Sequence, residues 1–343
     1  MFLRSILTMN ESEIGIGSVT EVATDAVSEA AFGGTLPAPV RKNLFKAFGR
    51  LCTAAVDYPV ACLEGKAAEK RAETEARINL LQSSSQKIAE QIEVSPEYAQ
   101  VASDKYSRRI IQEQLNVDEI SQIALAELEA NEVPLESSVD SEISDDWLSS
   151  FEREAATKSS DEMKLLFGKV LANEIRKPSS FSIRTIKLLS QLDNEAAKLF
   201  VRFCSNSVSL RLGDNIIDGR VVSLSGNAAQ NSLSKYGLSF DNLNILFEYG
   251  LIVSDYNCYC GYEAAIAQDN NVMATLYHQN QHYGLVTIDP SKSTPQLRLS
   301  GVALSKAGKE LLSIVDIEVS DNYLNDLAAY FKNKNLQLVV VKT

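Results

Sequence analysis

The chain has 343 residues, of which 45% are hydrophobic, and its formal net charge is −12. This length accommodates two or three domains with a sizeable buried core. The acidic balance disfavours a general nucleic-acid binder, because phosphate binding needs a positive field. Five cysteines, no apolar run long enough to span a membrane and no signal-peptide pattern at the start predict a cytoplasmic protein in a reducing compartment.

The first 140 residues predict an arm followed by long helices. Residues 1–38 are polar and rich in small side chains, and we interpret them as a flexible N-terminal arm. Residues 39–140 form a long-helix region, whose first helix starts near Pro39 and carries one apolar stripe. Pro59 is expected to break or kink that helix.

The second helix of this region, residues 60–92, has alanine at most of its apolar positions. Small side chains allow a second helix to approach closely but bury little area, so this helix needs a partner from the same chain or from another copy. We therefore predict self-association through this region. The residues expected to take part are Leu44, Phe48, Leu51, Ala68, Ala72 and Ala76.

Residues 40–63 also suggest a membrane-surface role. Their apolar stripe lies beside four basic residues, which is the pattern of a helix that rests on an anionic membrane. The basic residues are Arg41, Lys42, Lys46 and Arg50. The other interpretation is a bundle helix whose apolar side is covered by its neighbours.

Residues 141–206 predict a compact helical middle domain. Before it, helices are expected from Ser95 to about residue 116 and over 118–130, followed by an acidic, Ser-rich linker at 131–144. The middle domain has four short helices, each beginning at a residue that caps helices well. The capping residues are Asp145 or Asp146, Ser159 with Glu162 three residues on, Ser182 and Asp193.

After Asn206 the apolar period changes from helical to alternating, which indicates strands. Strands are predicted at residues 208–212, 221–224, 251–253, 272–277, 283–288, 297–299 and 336–341. Helices are predicted at residues 239–250, 305–315 and 321–332. The fold class is therefore mainly α with an α+β C-terminal domain over residues 207–343. We describe it as a helical bundle plus a winged-helix-like module with short antiparallel strands.

The middle block carries a family resemblance. It contains Trp147, Phe151, Ala155 and Met163, then Phe167-Gly168-Lys169-Val170-Leu171-Ala172-Asn173-Glu174-Ile175, Pro178 and Ser182-Ile183-Arg184-Thr185. This block, strongest over residues 147–190, resembles the bacterial domain-of-unknown-function family 2806. The resemblance implies no activity and no catalytic residue. It implies a similarity to components of mobile or anti-phage loci.

Cys258, Cys260, His278 and His282 are the candidate metal ligands. They include the only two histidines of the chain, and zinc favours four nitrogen and sulfur ligands in a tetrahedron. One intervening residue between the cysteines is tighter than the usual zinc spacing. The other interpretation is two half-buried cysteines and two surface histidines without a metal.

A winged-helix-like module raises the possibility of DNA binding. The residues that would contribute a basic face are Lys235, Arg298, Lys306 and Lys309. The helix at residues 240–248, however, carries two acids and no base. Protein contact or simple packing is therefore the favoured use of this module, and a DNA-binding regulator is the alternative.

Enzyme motifs are missing from the sequence. There is no nucleotide-binding glycine loop, no nucleophile elbow and no metalloprotease motif, so no catalytic residue and no cofactor are assigned. The adjacent acids Asp145-Asp146 and Asp161-Glu162 lie at helix starts, where the helix dipole favours them. We expect a non-enzymatic interaction or scaffold protein that self-associates, as a sensor or adaptor in bacterial anti-phage defence. The alternatives are the DNA-binding regulator and the peripheral membrane protein.

Overall fold

A computed structural model describes residues 36–52, 61–91, 94–130, 141–213, 215–267, 273–292, 296–317 and 321–341. The chain divides into two units, Met1–Ser180 and Phe181–Thr343. The predicted arm at residues 1–35, the predicted break at Pro59 and most of the predicted linker lie outside the described residues.

The described part of the first unit is helical. Its helices are α1 (Ala38–Leu51), α2 (Ala61–Gln91), α3 (Pro96–Ala130), α4 (Asp145–Ala155) and α5 (Asp161–Arg176). The long helix α3 packs against α2 along one part of its length and against α5 along another, while α1 contacts α2, α3, α4 and α5. The core lies where these helices meet.

Apolar spacing explains which faces this core uses. On α1, Val40, Leu44 and Phe48 recur at four-residue intervals and are buried. On α4, the Trp147 and Phe151 rings stack with centroids 5.1 Å apart, and Phe151 contacts Phe167 of α5 at 5.7 Å. Trp147, Phe151 and Phe167 are all buried, so this aromatic contact joins α4 to α5 within the core.

The second unit combines a seven-stranded antiparallel sheet with short helices. The strands are β1 (Val208–Leu212), β2 (Asn215–Val222), β3 (Cys258–Gly261), β4 (Thr275–His278), β5 (Gln281–Thr287), β6 (Arg298–Ala303) and β7 (Leu336–Val340). Their order in the sheet is β3-β6-β2-β1-β4-β5-β7. The helices are α6 (Ile183–Gln191), α7 (Asn194–Ser205), α8 (Phe240–Glu248), α9 (Lys306–Leu312) and α10 (Asp321–Asn333).

A buried charged network joins one half of the sheet. The guanidinium of Arg220 on β2 donates to both carboxylate oxygens of Asp218 at 2.6 and 2.8 Å, and to the carbonyls of Cys258 and Leu299 at 2.8 Å each. The Tyr262 hydroxyl donates to Asp218 at 2.7 Å. Strands β2, β3 and β6 are therefore held together by polar contacts as well as by their ladders.

The predicted architecture, mainly α with an α+β C-terminal part, is confirmed at this coarse level. The predicted helix starts at Ser95, Ser182, Asp193, Ser239 and Ser305 are also confirmed, since each of these side chains accepts a backbone N–H three residues on.

Some local predictions were wrong. Helix α3 is continuous through residues 116–118, where we predicted a break. The cap of α5 is Ser160 rather than Ser159, and α4 begins after Ser144 with no side-chain cap from Asp145 or Asp146. Strand β3 was not predicted, and Ile252 forms only an isolated bridge with Leu304 where we predicted a strand.

Candidate functional site

Helix α2 has one face against the unit and one face exposed. Ala67 is buried on the inner face, which packs against α3. Ala68, Ala72 and Ala76 are exposed and recur every four residues, so they form a single stripe on the outer face, which Leu80 (67% exposed) continues. We call these four residues the α2 stripe.

Charges of both signs border the α2 stripe. Glu69 and Glu73 are exposed on one side, and Arg77 lies one turn beyond Glu73 on the same side. The stripe itself carries no charge. A small, uncharged strip between mixed charges suits contact with another helix.

Helix α3 exposes a second apolar stripe. Val101, Ile111 and Leu115 are spaced by ten and four residues, which places them on one side of the helix. Their exposed fractions are 67%, 46% and 48%. The inner side of the same stretch has small buried residues instead, among them Ala99 and Ser103. On this part of α3, the large apolar side chains are therefore exposed, whereas the side chains on the buried side are small.

A polar cavity of about 140 Å³ lies in the second unit, beside β1 and the β4–β5 turn. Most of the lining residues that the structure describes are polar, and Arg211 is the one charged side chain among them. The lining residues are Cys204, Ser207, Ser209, Arg211, Tyr277, His278, Gln279, Asn280, Leu312, Ser313, Val315 and Ile317.

Sequence reasoning missed this cavity. His278 was singled out for another role, and Arg211 was noted only as part of a strand. The only sequence feature that could have indicated this cavity was the arginine between apolar positions of β1. The cavity itself depends on the pairing of β1 with β4, which the sequence does not reveal.

A model of the family described as Protein of unknown function (DUF2806) matches residues 100–328, more than half of the chain. The chain belongs to this family. The resemblance predicted from the middle block is confirmed. The matched DUF2806 range runs from α3 to α10 and includes the cavity, whereas the α2 stripe lies before it. Searches among curated proteins and among solved structures found no match.

Three of the predicted interaction residues belong to the core of this DUF2806 protein. Leu44, Phe48 and Leu51 are buried in the first unit, so they cannot also contact a second copy in the folded state. Only the alanine half of the predicted set is exposed. The prediction did not separate the two because both sets share helical spacing.

The basic side chains of α1 have partners within the first unit. Lys42 and Lys46 pair with Glu142 at 2.7 and 3.6 Å, and Arg50 pairs with Asp145 at 3.4 Å. The apolar stripe of α1 is covered, so the described part of residues 40–63 does not present the exposed apolar face that membrane adsorption needs. Among the described residues, no helix is long and apolar enough to cross a membrane.

The four predicted metal ligands are not brought together. Cys258 and Cys260 lie on β3, and three strands separate β3 from β4, which carries His278. Four strand spacings amount to roughly 19 Å, far beyond the reach of one zinc ion. His278 and His282 also point to opposite faces, because His278 pairs with Gln281 and His282 with Tyr277. No group of three metal-binding side chains forms in the described part of the chain.

Each residue predicted for a nucleic-acid face has a contact within the second unit. Lys235 pairs with Asp326 at 2.9 Å, Lys306 lies 3.8 Å from Glu310, and Lys309 donates to the Ile217 carbonyl at 3.2 Å. The Arg298 guanidinium lies over the Tyr259 ring at 4.9 Å. Lys235 and Lys306 therefore have acidic partners that would compete with phosphate.

Proposed function

We propose that this chain is a non-enzymatic interaction protein that self-associates through the α2 stripe. The observation that carries the proposal is the exposure of Ala68, Ala72, Ala76 and Leu80 on one side of a long helix whose other side is packed. An exposed uncharged stripe of this length is covered most simply by the same stripe of a second copy, because a twofold pair is self-complementary.

Alanine makes close contact between two copies feasible. Helix axes approach to about 8 Å when small side chains face each other, and backbone and Cβ atoms then supply dispersion contacts. In an antiparallel pair with Ala72 opposite Ala76 of the second copy, Glu73 lies about half a turn from both Arg77 and Glu73 of that copy, so the bordering charges favour neither pairing strongly and the contact depends on the uncharged stripe.

Light scattering coupled to gel filtration tests this proposal with the full chain at micromolar concentration. We expect a mass above that of the monomer, and we expect Ala72→Glu and Ala76→Glu to return it to the monomer mass, because each places two like charges about one turn apart across the twofold axis, inside a contact that excludes water. Ala328→Glu, at an exposed position of α10, is the matched control and should not change the mass. A monomeric wild-type chain would refute the proposal.

The wider role that we propose is a sensor or adaptor in bacterial anti-phage defence, which rests on the family resemblance. Its test is phage challenge of cells that express the wild-type chain or Ala76→Glu. Protection that the wild type gives and the variant loses would support both steps. A pull-down with identification of the retained molecules would then identify the partner.

The winged-helix-like description of residues 207–343, and with it the DNA-binding regulator, stays a prediction. Its support is the order of α8, strands and α9 along the chain. A low-salt mobility-shift assay tests it, because phosphate contacts must weaken as salt rises. The peripheral membrane alternative likewise stays a prediction, and co-sedimentation with anionic liposomes is its test.

A further inference from the structure

We propose that β7 pairs with β7 of a second copy, as two antiparallel edge strands that meet at Val339. The contact would lie on the second unit and would not involve the α2 stripe, so this inference is independent of the self-association proposed above. Each chain would then have two separate surfaces for other copies of itself.

Strand β7 lies at one end of the sheet. Among the strands that the structure describes, β5 is its only neighbour. Its first residue, Leu336, is fully buried, whereas Val339 and Val340 are 42% and 53% exposed. The second half of β7 is therefore an open edge, and large apolar side chains of this half are in contact with water.

The open edge carries backbone groups that point away from β5. The Val341 N–H donates to the His282 carbonyl of β5 at 2.9 Å. Successive residues of an antiparallel strand direct their N–H and C=O groups to opposite sides, so those of Leu338 and Val340 face away from β5. These groups have no hydrogen-bond partner among the described residues. Two donors and two acceptors are therefore in place for another strand.

The sequence of β7 suits pairing with itself. Residues 337–341 read Gln-Leu-Val-Val-Val, so a second copy of the segment brings no like charge opposite. Edge strands are commonly protected from pairing by an internal charge, a proline or a bulge, and this segment has none of the three. The nearest charged residues in the sequence, Lys334 and Lys342, lie outside the segment and limit the pair to these five residues.

One register bonds every group of the open edge. When Val339 lies opposite Val339 of the second copy, Leu338 lies opposite Val340 of that copy, and each such pair exchanges two hydrogen bonds. A register centred on Leu338 would instead need the backbone groups of Leu336, which is buried.

This register also covers the exposed valine at its centre. On its own sheet Val339 pairs with Gly284, which has no side chain to cover it. Opposite its copy, Val339 forms a non-hydrogen-bonded pair, the kind in which the side chains of two strands lie closest. The polar and the apolar requirements of the edge are therefore met by the same arrangement.

The opposite end of the sheet, at β3, is the competing partner for this edge. Pairing of β7 with β3 of another copy is head-to-tail, and it leaves one open edge at each end of the assembly. Pairing of β7 with itself closes after two copies and covers both β7 edges. We therefore choose the twofold pair, and the test below distinguishes the two.

The contact is weak when it acts alone. A pair of five-residue segments buries far less than the about 1,200 Å² at the lower end of stable interfaces. A mass measured at micromolar concentration therefore reports the α2 stripe, and the β7 pair needs a method that traps transient contacts.

Disulfide trapping tests the register with the full chain. Val339→Cys places two thiols opposite one another, with Cα atoms about 4.5 Å apart, within the range of a disulfide. Gln337→Cys and Val341→Cys are the matched controls, because the two thiols of either variant alone are four residues apart along the pair, roughly 14 Å. Mixing the two controls should restore the disulfide, since Gln337 lies opposite Val341 of the second copy.

The variants are made in the Ala76→Glu chain, so that the result does not depend on the α2 stripe. With mild oxidation at a concentration on the order of 0.1 mM, we expect Val339→Cys to form the disulfide dimer at least about tenfold faster than either control alone. Adding Val340→Pro removes one outward N–H but none of the bonds to β5, so it should abolish the dimer while the thermal unfolding midpoint changes little.

Three results would overturn the inference. The first is equal cross-linking of the three single-cysteine variants, or none at all. The second is a Val339→Cys dimer that persists with Val340→Pro. The third is a disulfide from the introduced thiol of Val339→Cys to Cys258 or Cys260, found by peptide mass spectrometry, which would show head-to-tail pairing with β3.

Discussion

Gly168 on α5 lies directly against the side chain of Ile123 on α3. A Cβ atom built on Gly168 would be 2.4 Å from Ile123 Cγ2 and 2.8 Å from Ile123 Cβ, closer than real Cβ contacts. Glycine inside a helix costs about 1 kcal/mol relative to alanine. Glycine at this position therefore lowers the helix propensity of α5, but it allows α3 and α5 to approach each other.

Gly168→Ala should lower the free energy of unfolding of the first unit by about 1–3 kcal/mol, although alanine is the better helix former, because the new methyl group overlaps Ile123. Trp147 is the only tryptophan and is buried in this unit, so its fluorescence in a urea titration reports the change. Ile123→Ala makes room, and the double variant should therefore be less unstable than the sum of the single ones. A stabilised Gly168→Ala would contradict the packing.

Asn43 on α1 should be a polar residue on which the stability of the same core depends. Its Nδ2 donates to the carbonyl of Ser141 at 3.0 Å, and its Oδ1 accepts the backbone N–H of Ile143 at 3.1 Å. Asn43→Ala leaves both backbone groups without these bonds, and we expect a loss of about 2–3 kcal/mol in the Trp147 assay. Lys42→Ala, which breaks an exposed ion pair on the same helix, is the control and should change stability by less than about 0.5 kcal/mol. Equal effects of the two would rule out the role of Asn43.

The helix caps could be predicted from the sequence because a cap is a contact between residues three apart. The continuity of α3 through residues 116–118 could not be predicted in this way. Asn116 and Asp118 looked like a helix break, but the Asn116 amide donates to the Ala156 carbonyl at 2.8 Å, and the Gln114 amide, which also bonds to Asp118, donates to the Leu51 carbonyl at 2.8 Å. Tertiary partners therefore stabilise polar residues inside the helix, and no local pattern reveals those partners.

The predicted metal set failed for a related reason. Residues 258–282 are close in sequence, yet β3 and β4 are far apart because β6, β2 and β1 lie between them. Strand order depends on pairings between distant segments. The same pairings bring Arg211 and His278 to one cavity, which is why sequence spacing identified His278 but not its surroundings.

The thiols should differ sharply in reactivity. Burial raises the pKa of Cys52 to about 12 and also raises that of Cys204, so both are protonated at pH 8. Cys258 and Cys260 are half-buried. Iodoacetamide at pH 8 should therefore label Cys258 and Cys260 well before Cys52 and Cys204, as followed by peptide mass spectrometry. In 8 M urea (about the concentration that unfolds most domains) the four rates should converge. Native labelling of Cys52 at the rate of Cys258 would show that α1 is not packed as described.

Acid should destabilise the second unit through His278. Burial lowers the pKa of His278 in the folded state. When the pH falls below the unfolded-state pKa of about 6.5, the unfolded chain therefore binds a proton that the folded chain does not yet bind. Stability is then complete above about pH 6.5 and is lost as pH falls, by up to about 1.4 kcal/mol per pH unit.

Hydrogen exchange at the β1 and β4 amides measures this loss between pH 7 and 5, after correction for the intrinsic rate. Nδ1 of His278 donates to the Ser207 carbonyl at 2.7 Å, and His278→Asn, whose amide can still donate there, should flatten the pH dependence. His282 also has a lowered pKa, caused by partial burial and then by Arg211, but it is more exposed, so His282→Asn should flatten the dependence less. An NMR titration midpoint of His278 at or above 6.5 would contradict the burial of its ring that lowers the pKa.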